Sequence, residues 1–235
     1  MIPIRKNLCP ESKYDLKCPY TRTPSRVVVH NTANDAPAVN EVTYMVNRPE
    51  AVSFHYAVDD KEAVQGLPLD RNAWASGDSH GKGNMEGIHV EICWSKSGGE
   101  KFAKAEQNAA QLIASLLKQY GWSVNQVTKH QDYDGKYCPH RTLDMGWQRF
   151  LNMVQNAMKE EEDLNREETL KLINETIEKT NPTYHTLEQI PGYWREDIRA
   201  MVNAGIIAGN SPADLGLTKQ ETKAAVLLYR VMKKK

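Results

Sequence analysis

Two histidines and one cysteine in this sequence carry donor atoms suited to a metal ion. His30 ends a short apolar run, and His130 and Cys138 lie eight residues apart, on either side of the turn-forming pair Asp134-Gly135. Imidazole nitrogen and thiolate sulfur bind zinc well, and a site with three protein ligands leaves the fourth position open for water. The three residues therefore predict a catalytic zinc site. Spacing alone leaves one alternative, a satisfied histidine pair beside a buried cysteine, because seven histidines in 235 residues offer many chance triples.

A carboxylate and an ammonium group could complete such a site. Zinc held by two imidazoles and a thiolate lowers the pKa of a bound water towards about 7, and hydrolysis then needs a group that carries protons. Glu91 lies within the apolar run Ile88–Cys93, where a charge is costly unless it faces a cleft or is paired with an Arg or Lys side chain. Lys136, two residues before Cys138, could stabilise the oxyanion of a tetrahedral intermediate, or it could be a solvated surface charge.

Three short strands are predicted to position these residues. They are the β-branched or apolar runs Val27–His30, Ser53–Asp59 and Gly87–Trp94. In the third run the two-residue period of a strand places His89 and Glu91 on the same face.

Helices are predicted between and after these strands. The clearest is Phe102–Tyr120, where apolar residues recur at helical spacing and Gly121 follows as a stop signal. Ala38–Val46 and Leu143–Met158 are two further candidates. Strands that alternate with helices predict an α/β fold with a central mixed β-sheet flanked by helices.

Five separated segments carry a family resemblance when they are taken in order. They are His30-Asn31-Thr32, Val52–Asp59, Asn72-Ala73-Trp74, Val90-Glu91-Ile92 and Gly135–Pro139. Together they resemble the zinc-dependent N-acetylmuramoyl-L-alanine amidases of phage endolysins and bacterial autolysins. The resemblance covers roughly residues 1–158 and is close to the endolysins of phages that infect Bacillus-like hosts.

The resemblance implies an activity and a role for each candidate residue. It implies hydrolysis of the amide bond between the lactyl group of N-acetylmuramic acid and the L-alanine of the peptidoglycan stem peptide. His30, His130 and Cys138 would bind Zn²⁺, Glu91 would act as general base and then acid, and Lys136 would be the electrophilic helper. The implied fold is that of peptidoglycan recognition proteins.

Two rival functions follow from the same resemblance. One is a non-catalytic protein that recognises peptidoglycan, but such proteins typically lack the cysteine ligand, so Cys138 and Glu91 together argue against it. The other is a structural zinc module, which would need a fourth protein ligand that no loop clearly offers.

Three aromatic side chains are candidates for substrate binding. Trp74 could line a glycan or peptide groove or belong to the core, and His55 could be a cleft wall or a packed ring. His89 shares the strand face of Glu91 and could therefore touch the substrate. Relatives in this family can carry a tyrosine at the position of Phe54, and its absence here would leave proton transfer to Glu91.

Composition excludes several classes of function. The chain has 30 basic and 30 acidic residues and no charge excess that would indicate a nucleic-acid partner. Mean hydropathy is −0.63, and no apolar stretch is long enough for membrane insertion or for a signal peptide. We therefore expect synthesis in the host cytoplasm and action on the cell wall after release, through a phage-encoded pore or lysis. Cys9 and Cys18 are expected to stay reduced, although they could pair under oxidation.

The sequence changes character after the amidase-like region 1–158. Residues 159–181 contain eight acidic and four basic side chains, which favours a charged linker or a marginal connecting helix. Residues 182–235 are predicted to form a small helical domain, with a helix at 193–204 and a second helix opened by the capping box Thr218–Glu221.

This small domain has its own sequence pattern. It reads Ile190-Pro191, Trp194, Ile198, Gly205-Ile206-Ile207, Gly209, Leu217-Thr218 and Glu221. The pattern is similar to that of the S-layer-homology repeat, a module that binds secondary wall polymers and commonly occurs in three copies, whereas one copy is present here. A docking or dimerising helical tail is the alternative.

Overall fold

Six strands assemble into one mixed sheet in the computed structural model, which describes residues 2–211 and 214–233. The strands are β1 (Ile4–Lys6), β2 (Arg26–Asn31), β3 (Tyr56–Val58), β4 (Ala63–Gln65), β5 (Gly87–Ile92) and β6 (Val127–Lys129). Their order is β1-β4-β3-β5-β2-β6, and the β3–β4 pair is antiparallel whereas the other four pairs are parallel. The mixed sheet expected from the sequence is confirmed.

Helices connect and cover these strands. They are α1 (Tyr14–Lys17), α2 (Ala38–Asn47), α3 (Lys82–Glu86), α4 (Gly99–Tyr120), α5 (Gln131–Asp134), α6 (His140–Asp144) and α7 (Trp147–Thr180). The prediction of a single helix at 143–158 is wrong in one respect, because the helical conformation is interrupted between α6 and α7. Gly146 has a φ of 105° at this break, a backbone conformation that glycine adopts without the steric cost of a side chain.

Each face of the sheet carries its own hydrophobic core. On one face α4 and the first turns of α7 pack against alternate residues of β2 and β5, such as Val29 and Val90. On the other face α2 packs over β3 and β4 through Val42 and Met45. Because side chains alternate along a strand, His30 and Glu91 point away from the α4 core, towards the face on which α2 lies.

The strand order brings the candidate residues to one edge of the sheet. The three neighbouring strands β5, β2 and β6 run parallel, so their carboxyl ends lie side by side. His30 is paired in register with Glu91, and Val29 is paired with Lys129, the residue before His130. Two metal-ligand candidates and the candidate base therefore leave the sheet at neighbouring positions.

A second unit follows the first, and the chain divides into Met1–Glu162 and Asp163–Lys235. The second unit contains β7 (Thr183–Tyr184), α8 (Gly192–Asn203), β8 (Leu217–Thr218) and α9 (Lys219–Met232). Strands β7 and β8 form an antiparallel pair that the sequence did not predict. The Thr218–Glu221 capping box is present at the start of α9. The core of this unit consists of Tyr184, Ile190, Ile198, Met201 and Val226.

The charged segment between the two regions lies within α7. This helix continues to Thr180, and its thin apolar stripe of Leu170, Ile173 and Ile177 is exposed. The boundaries proposed from the sequence, at 158 and 182, remain a prediction. Among residues 2–211 and 214–233, no helix combines the length and the apolar character needed to cross a membrane.

Candidate metal centre

Three donor atoms meet at the carboxyl end of β2. His30, His130 and Cys138 each contribute one potential ligand atom, and these three atoms lie within 4.8 Å of one another. All three side chains are buried. The Nδ1 atoms of the two histidines are 3.1 Å apart, and Cys138 Sγ lies 4.0 Å from His30 Nδ1. Within the part of the chain that the structure describes, no fourth His, Cys, Asp or Glu joins this cluster. A metal held by these three residues alone would keep one coordination position open, unlike the four-ligand sites typical of structural zinc.

Local folding of the 130–138 segment brings the cysteine to the histidines. Gly135 ends α5 in the left-handed conformation, with a φ of 80°, and turns the chain back. The backbone N–H of Gln131 donates to the carbonyl of Cys138 at 3.0 Å and closes the loop. The side-chain oxygen of Asn31 accepts from the backbone N–H groups of Arg141 and Thr142 at 2.9 and 3.2 Å, which ties α6 to the end of β2.

Each histidine of the cluster uses its second ring nitrogen in a hydrogen bond. His130 Nε2 contacts Asp134 Oδ2 at 3.1 Å, and His30 Nε2 contacts His89 Nδ1 at 2.9 Å. Partial burial raises the pKa of Asp134, but hydrogen bonds from the Lys136 backbone N–H and from His130 outweigh it, so the pKa is lowered overall. Asp134 is therefore a carboxylate that accepts a hydrogen bond from the His130 ring. His130 therefore presents the lone pair of Nδ1 to the cluster.

Burial sets the protonation of the three donors. It holds the pKa of His30 well below its usual value, with the His89 and His130 rings as further causes, and it also lowers the pKa of His130. Burial, followed by the negative charge of Glu91, raises the pKa of the Cys138 thiol to about 12. Both imidazoles are thus in the neutral form that binds a metal, whereas the thiol must give up its proton to become a ligand.

A cavity of about 350 Å³ opens over the cluster. Its floor is formed by the three donor residues and Glu91, and its walls come from α2, from the 136–140 segment and from the segment before β3. Side chains that line these walls include Glu41, Tyr44, Met45, Arg48, Val52, Phe54, Lys136, Tyr137 and His140. The cavity therefore joins the candidate metal-binding residues to a groove with both aromatic and charged walls.

Glu91 is a half-buried carboxylate that faces this cavity. Its Oε2 atom is buried, and it has no hydrogen-bond partner among residues 2–211 and 214–233. Burial, and next the negative charge of Glu41, raises the pKa of Glu91 to about 8, although Lys136 acts to lower it. The alternative of a strand carboxylate paired with Arg or Lys finds no ion pair in the described chain. An unpaired, partly protonated carboxylate beside the cluster is suited to proton transfer.

Lys136 lies on the loop between His130 and Cys138. Its side chain is exposed and lines the cavity, and its Nζ atom forms no ion pair with the described residues. The backbone N–H donates to Asp134 Oδ1 at 2.9 Å, which fixes the loop. The ammonium group is therefore free to approach a negative charge in the cavity.

Two of the three candidate substrate-binding residues lie away from the cavity. His55 and His89 are fully buried, and neither lines the cavity. His55 Nδ1 accepts the backbone N–H of His89 at 3.0 Å, and its Nε2 contacts the Arg71 carbonyl at 2.9 Å. The cavity lining therefore gives no support to the expected substrate contact of these two rings, which stays a prediction.

Trp74 also lies outside the cavity lining. It packs edge-on against Tyr20 and His80, with ring centroids 6.1 and 5.5 Å away, while its neighbour Ala75 lines the cavity. Phe54 lines the cavity and brings no hydroxyl group to it. A groove contact by Trp74 remains a prediction for a ligand that extends beyond the cavity.

Some residues of the site were not identified from the sequence. Asp134 was recognised as part of a turn but not as the partner of His130. The α2 wall was also missed, although Glu41 and Tyr44, followed by Arg48 directly after the helix, recur at the three- and four-residue spacing of one helix face. That spacing was the available signal for a polar face turned towards a site.

Comparison with known proteins gives one matching family model. The model for N-acetylmuramoyl-L-alanine amidase matches residues 20–141, which include all three donors, Glu91 and Lys136. The chain is 55% identical over 159 residues to N-acetylmuramoyl-L-alanine amidase XlyB of Bacillus subtilis (strain 168), covering 67% of this chain and 50% of that protein. It is 44% identical over 180 residues to CwlA of a Bacillus species, covering 76% and 72%. The chain thus spans about half the length of XlyB.

Solved structures give the same assignment for the first unit. The structure of PlyL is 54% identical with a TM-score of 0.64, covering 65% of this chain and 97% of that one. The solution structure of the PlyG catalytic domain is 52% identical with a TM-score of 0.65, covering 67% and 96%. The family model spans all the residues of the donor cluster and more than half of the chain, and the chain belongs to the N-acetylmuramoyl-L-alanine amidase family.

Proposed function

We propose that this protein is a peptidoglycan hydrolase that cleaves the amide bond between N-acetylmuramic acid and the L-alanine of the stem peptide. The observation that carries the proposal is the convergence of His30, His130 and Cys138 beside an unpaired Glu91 on the floor of an open cavity. The family assignment and the names of its relatives support the same chemistry. On this basis the protein acts as a phage or prophage endolysin whose partner is bacterial peptidoglycan.

The donor set fits Zn²⁺ as the resident metal. Zn–N distances of about 2.0–2.1 Å and Zn–S distances of about 2.3 Å place tetrahedral ligand atoms roughly 3.3–3.6 Å apart. The two Nδ1 atoms are 3.1 Å apart and Cys138 Sγ is 4.0 Å from His30 Nδ1, on either side of that range, and all three donor atoms lie within 4.8 Å of one another. Holding the ion would draw the more distant donors closer together. Held by His30, His130 and Cys138, zinc would supply Lewis acidity that activates water and polarises the scissile carbonyl.

Glu91 and Lys136 divide the remaining work. The Glu91 carboxylate takes a proton from the attacking water and then gives it to the departing amine of L-alanine. Its position opposite His30 in the sheet and its unpaired oxygen suit both steps. Lys136 holds a positive charge near the carbonyl oxygen as negative charge develops there. Phe54 contributes no acid or base, so Glu91 carries the proton transfers.

A binding protein that recognises peptidoglycan without cutting it is the rival function. Such a protein would gain nothing from a thiol in the cluster or from a buried carboxylate oxygen that lacks a partner. An unsatisfied buried polar atom costs about 1–3 kcal/mol, and this cost is explained when the atom serves a reaction. Cys138 and Glu91 therefore favour the hydrolase.

We further propose that the small domain at 182–235 binds a secondary wall polymer. Its S-layer-homology-like pattern includes Ile190 and Ile198, which are both completely buried. These two pattern residues belong to the core of the unit, so the similarity of the pattern supports a shared fold. The residues that would contact a wall polymer must then lie on the exposed surface. A wall-binding unit would raise the local concentration of substrate around the amidase unit without changing its chemistry.

Loss of one ligand should remove the metal. Cys138→Ser and His130→Ala are each expected to reduce bound zinc from one ion per chain to a small fraction, because two donors hold the ion weakly. Elemental analysis of the purified full chain measures this directly. His80→Ala is the matched control, since His80 is exposed and lies outside the cluster. Equal zinc in all four proteins would overturn the ligand assignment.

Replacement of the proton carrier should spare the metal and the fold. Glu91→Gln is expected to keep zinc and lower the rate by roughly 10²–10⁴-fold, the usual contribution of a general acid–base group. Glu41→Gln is the control, because Glu41 lines the same cavity but accepts a hydrogen bond from Asn34 at 2.7 Å. We expect it to cost less than about tenfold. Rates measured on a soluble muropeptide that are equal for the two variants would remove Glu91 from its role.

The wall-binding proposal can be tested independently of the catalytic one. A fluorescent fusion of residues 182–235 should label walls of a susceptible host, and the variant Ile198→Asp should abolish labelling because Ile198 is a fully buried core residue. Microscopy and pull-down with purified walls provide the readout. If the fusion labels no wall while the full chain runs as a dimer and a 1–158 fragment runs as a monomer, the unit is an assembly element instead.

A further inference from the structure

A series of hydrogen bonds runs from the donor cluster of His30, His130 and Cys138 into the protein interior. His30 Nε2 lies 2.9 Å from His89 Nδ1, and His89 Nε2 lies 2.9 Å from the carbonyl oxygen of Gly83. His89 is completely buried, and its neighbour His30 is 2% exposed. This series of hydrogen bonds therefore has one end at a backbone carbonyl at the start of α3 and the other at the donor cluster.

The carbonyl fixes the direction of this series of hydrogen bonds. A carbonyl oxygen only accepts, so His89 Nε2 must carry the hydrogen that fills the contact with Gly83. The buried His89 ring is neutral, and a neutral imidazole carries one N–H, so its Nδ1 has a free lone pair. That lone pair in turn requires a donor, which is the Nε2–H of His30.

The consequence appears on the other side of the His30 ring. With its proton held at Nε2, His30 presents the Nδ1 lone pair to the cluster, just as Asp134 makes His130 do. The two Nδ1 atoms face each other at 3.1 Å. Two lone pairs at this distance repel each other unless a cation is shared between them, so the arrangement is prepared for a metal and poorly suited to an empty pair.

We propose that His89 is a positioning residue that holds His30 in the tautomer able to bind the metal. This role deepens the proposed function and rests on it, because it matters only if His30 is a ligand. It also explains a feature that packing does not require. A completely buried polar ring is placed where an apolar side chain could fill the space. Hydrogen-bond contacts at both of its nitrogens, together with stacking on the His55 ring at a centroid distance of 5.8 Å, compensate for its burial.

Two conservative variants separate the two contacts of His89. Asparagine carries its amide oxygen at the place of Nδ1, so His89→Asn keeps an acceptor for His30 and loses the Gly83 contact. Glutamine carries its amide nitrogen at the place of Nε2, so His89→Gln keeps the Gly83 contact and loses the acceptor. The two variants have similar polarity and volume, which makes each a control for the other.

The measurement is the zinc affinity of the full chain in competition with a chelator of known affinity. We expect His89→Gln to weaken zinc binding about 10–100-fold, the usual cost of losing a partner behind a metal ligand, and His89→Asn to stay within about threefold of wild type. Thermal unfolding of the metal-free proteins is recorded in parallel, and a purely structural role predicts loss of stability with affinities that do not separate. Equal affinities for the two variants would overturn the proposal.

A second measurement needs no variant. Long-range ¹H–¹⁵N spectra of the histidine rings in the metal-free wild-type chain should show both His30 and His89 with the proton on Nε2. A proton on Nδ1 of either ring contradicts the proposal, whatever the variants do. Failure of the wild-type chain to bind zinc would instead overturn the proposed function, so the two failures can be told apart.

Discussion

The structure depends on holding three candidate metal-binding atoms within 4.8 Å of one another, although His30 and Cys138 are 108 residues apart in sequence. Three parallel strands meet this requirement because β2 lies between β5 and β6 and their carboxyl ends coincide. β2 supplies one histidine, and the residue after β6 supplies the other. The cysteine comes from a loop that Gly135 turns back, and the Asn31 side chain ties α6, the helix that follows this loop, to the end of β2.

The polar groups of the site reduce the stability of the fold, and they are confined to one place in it. Buried imidazoles, a buried thiol and an unpaired carboxylate oxygen all lie on one edge of the sheet. The opposite face is covered by α4 through apolar side chains, and this core stabilises the strands that carry the polar residues. Departures from good local packing and pairing that cluster at one place are typical of functional sites.

Much of this arrangement could be predicted from the sequence, for physical reasons. Residue type proposed the donors and Glu91, and the five ordered segments of the family resemblance singled them out. Short β-branched or apolar runs predicted β2, β3 and β5, and helical periodicity predicted α4. The three-residue strands β1, β4 and β6 are too short to give a period and were missed, whereas the equally short β3 lies within the longer run Ser53–Asp59 that was predicted as a strand. Alternation tells which face a strand residue occupies, but not how far it lies from the strand end. His89 and Glu91 share a face, yet Glu91 reaches the cavity while His89 is covered, and the sequence did not distinguish them.

The central claim is that this cluster cleaves one specific bond, and the products test it most directly. Purified walls of a Bacillus host are digested with the full chain, and the soluble fragments are analysed by mass spectrometry and amino-terminal labelling. The account predicts new amino groups on L-alanine, glycan strands that keep their lactyl groups, no new reducing ends, and loss of activity after chelation of zinc. New reducing ends would show a glycosidase, and new amino groups on any other residue would show an endopeptidase. Either result would contradict the account.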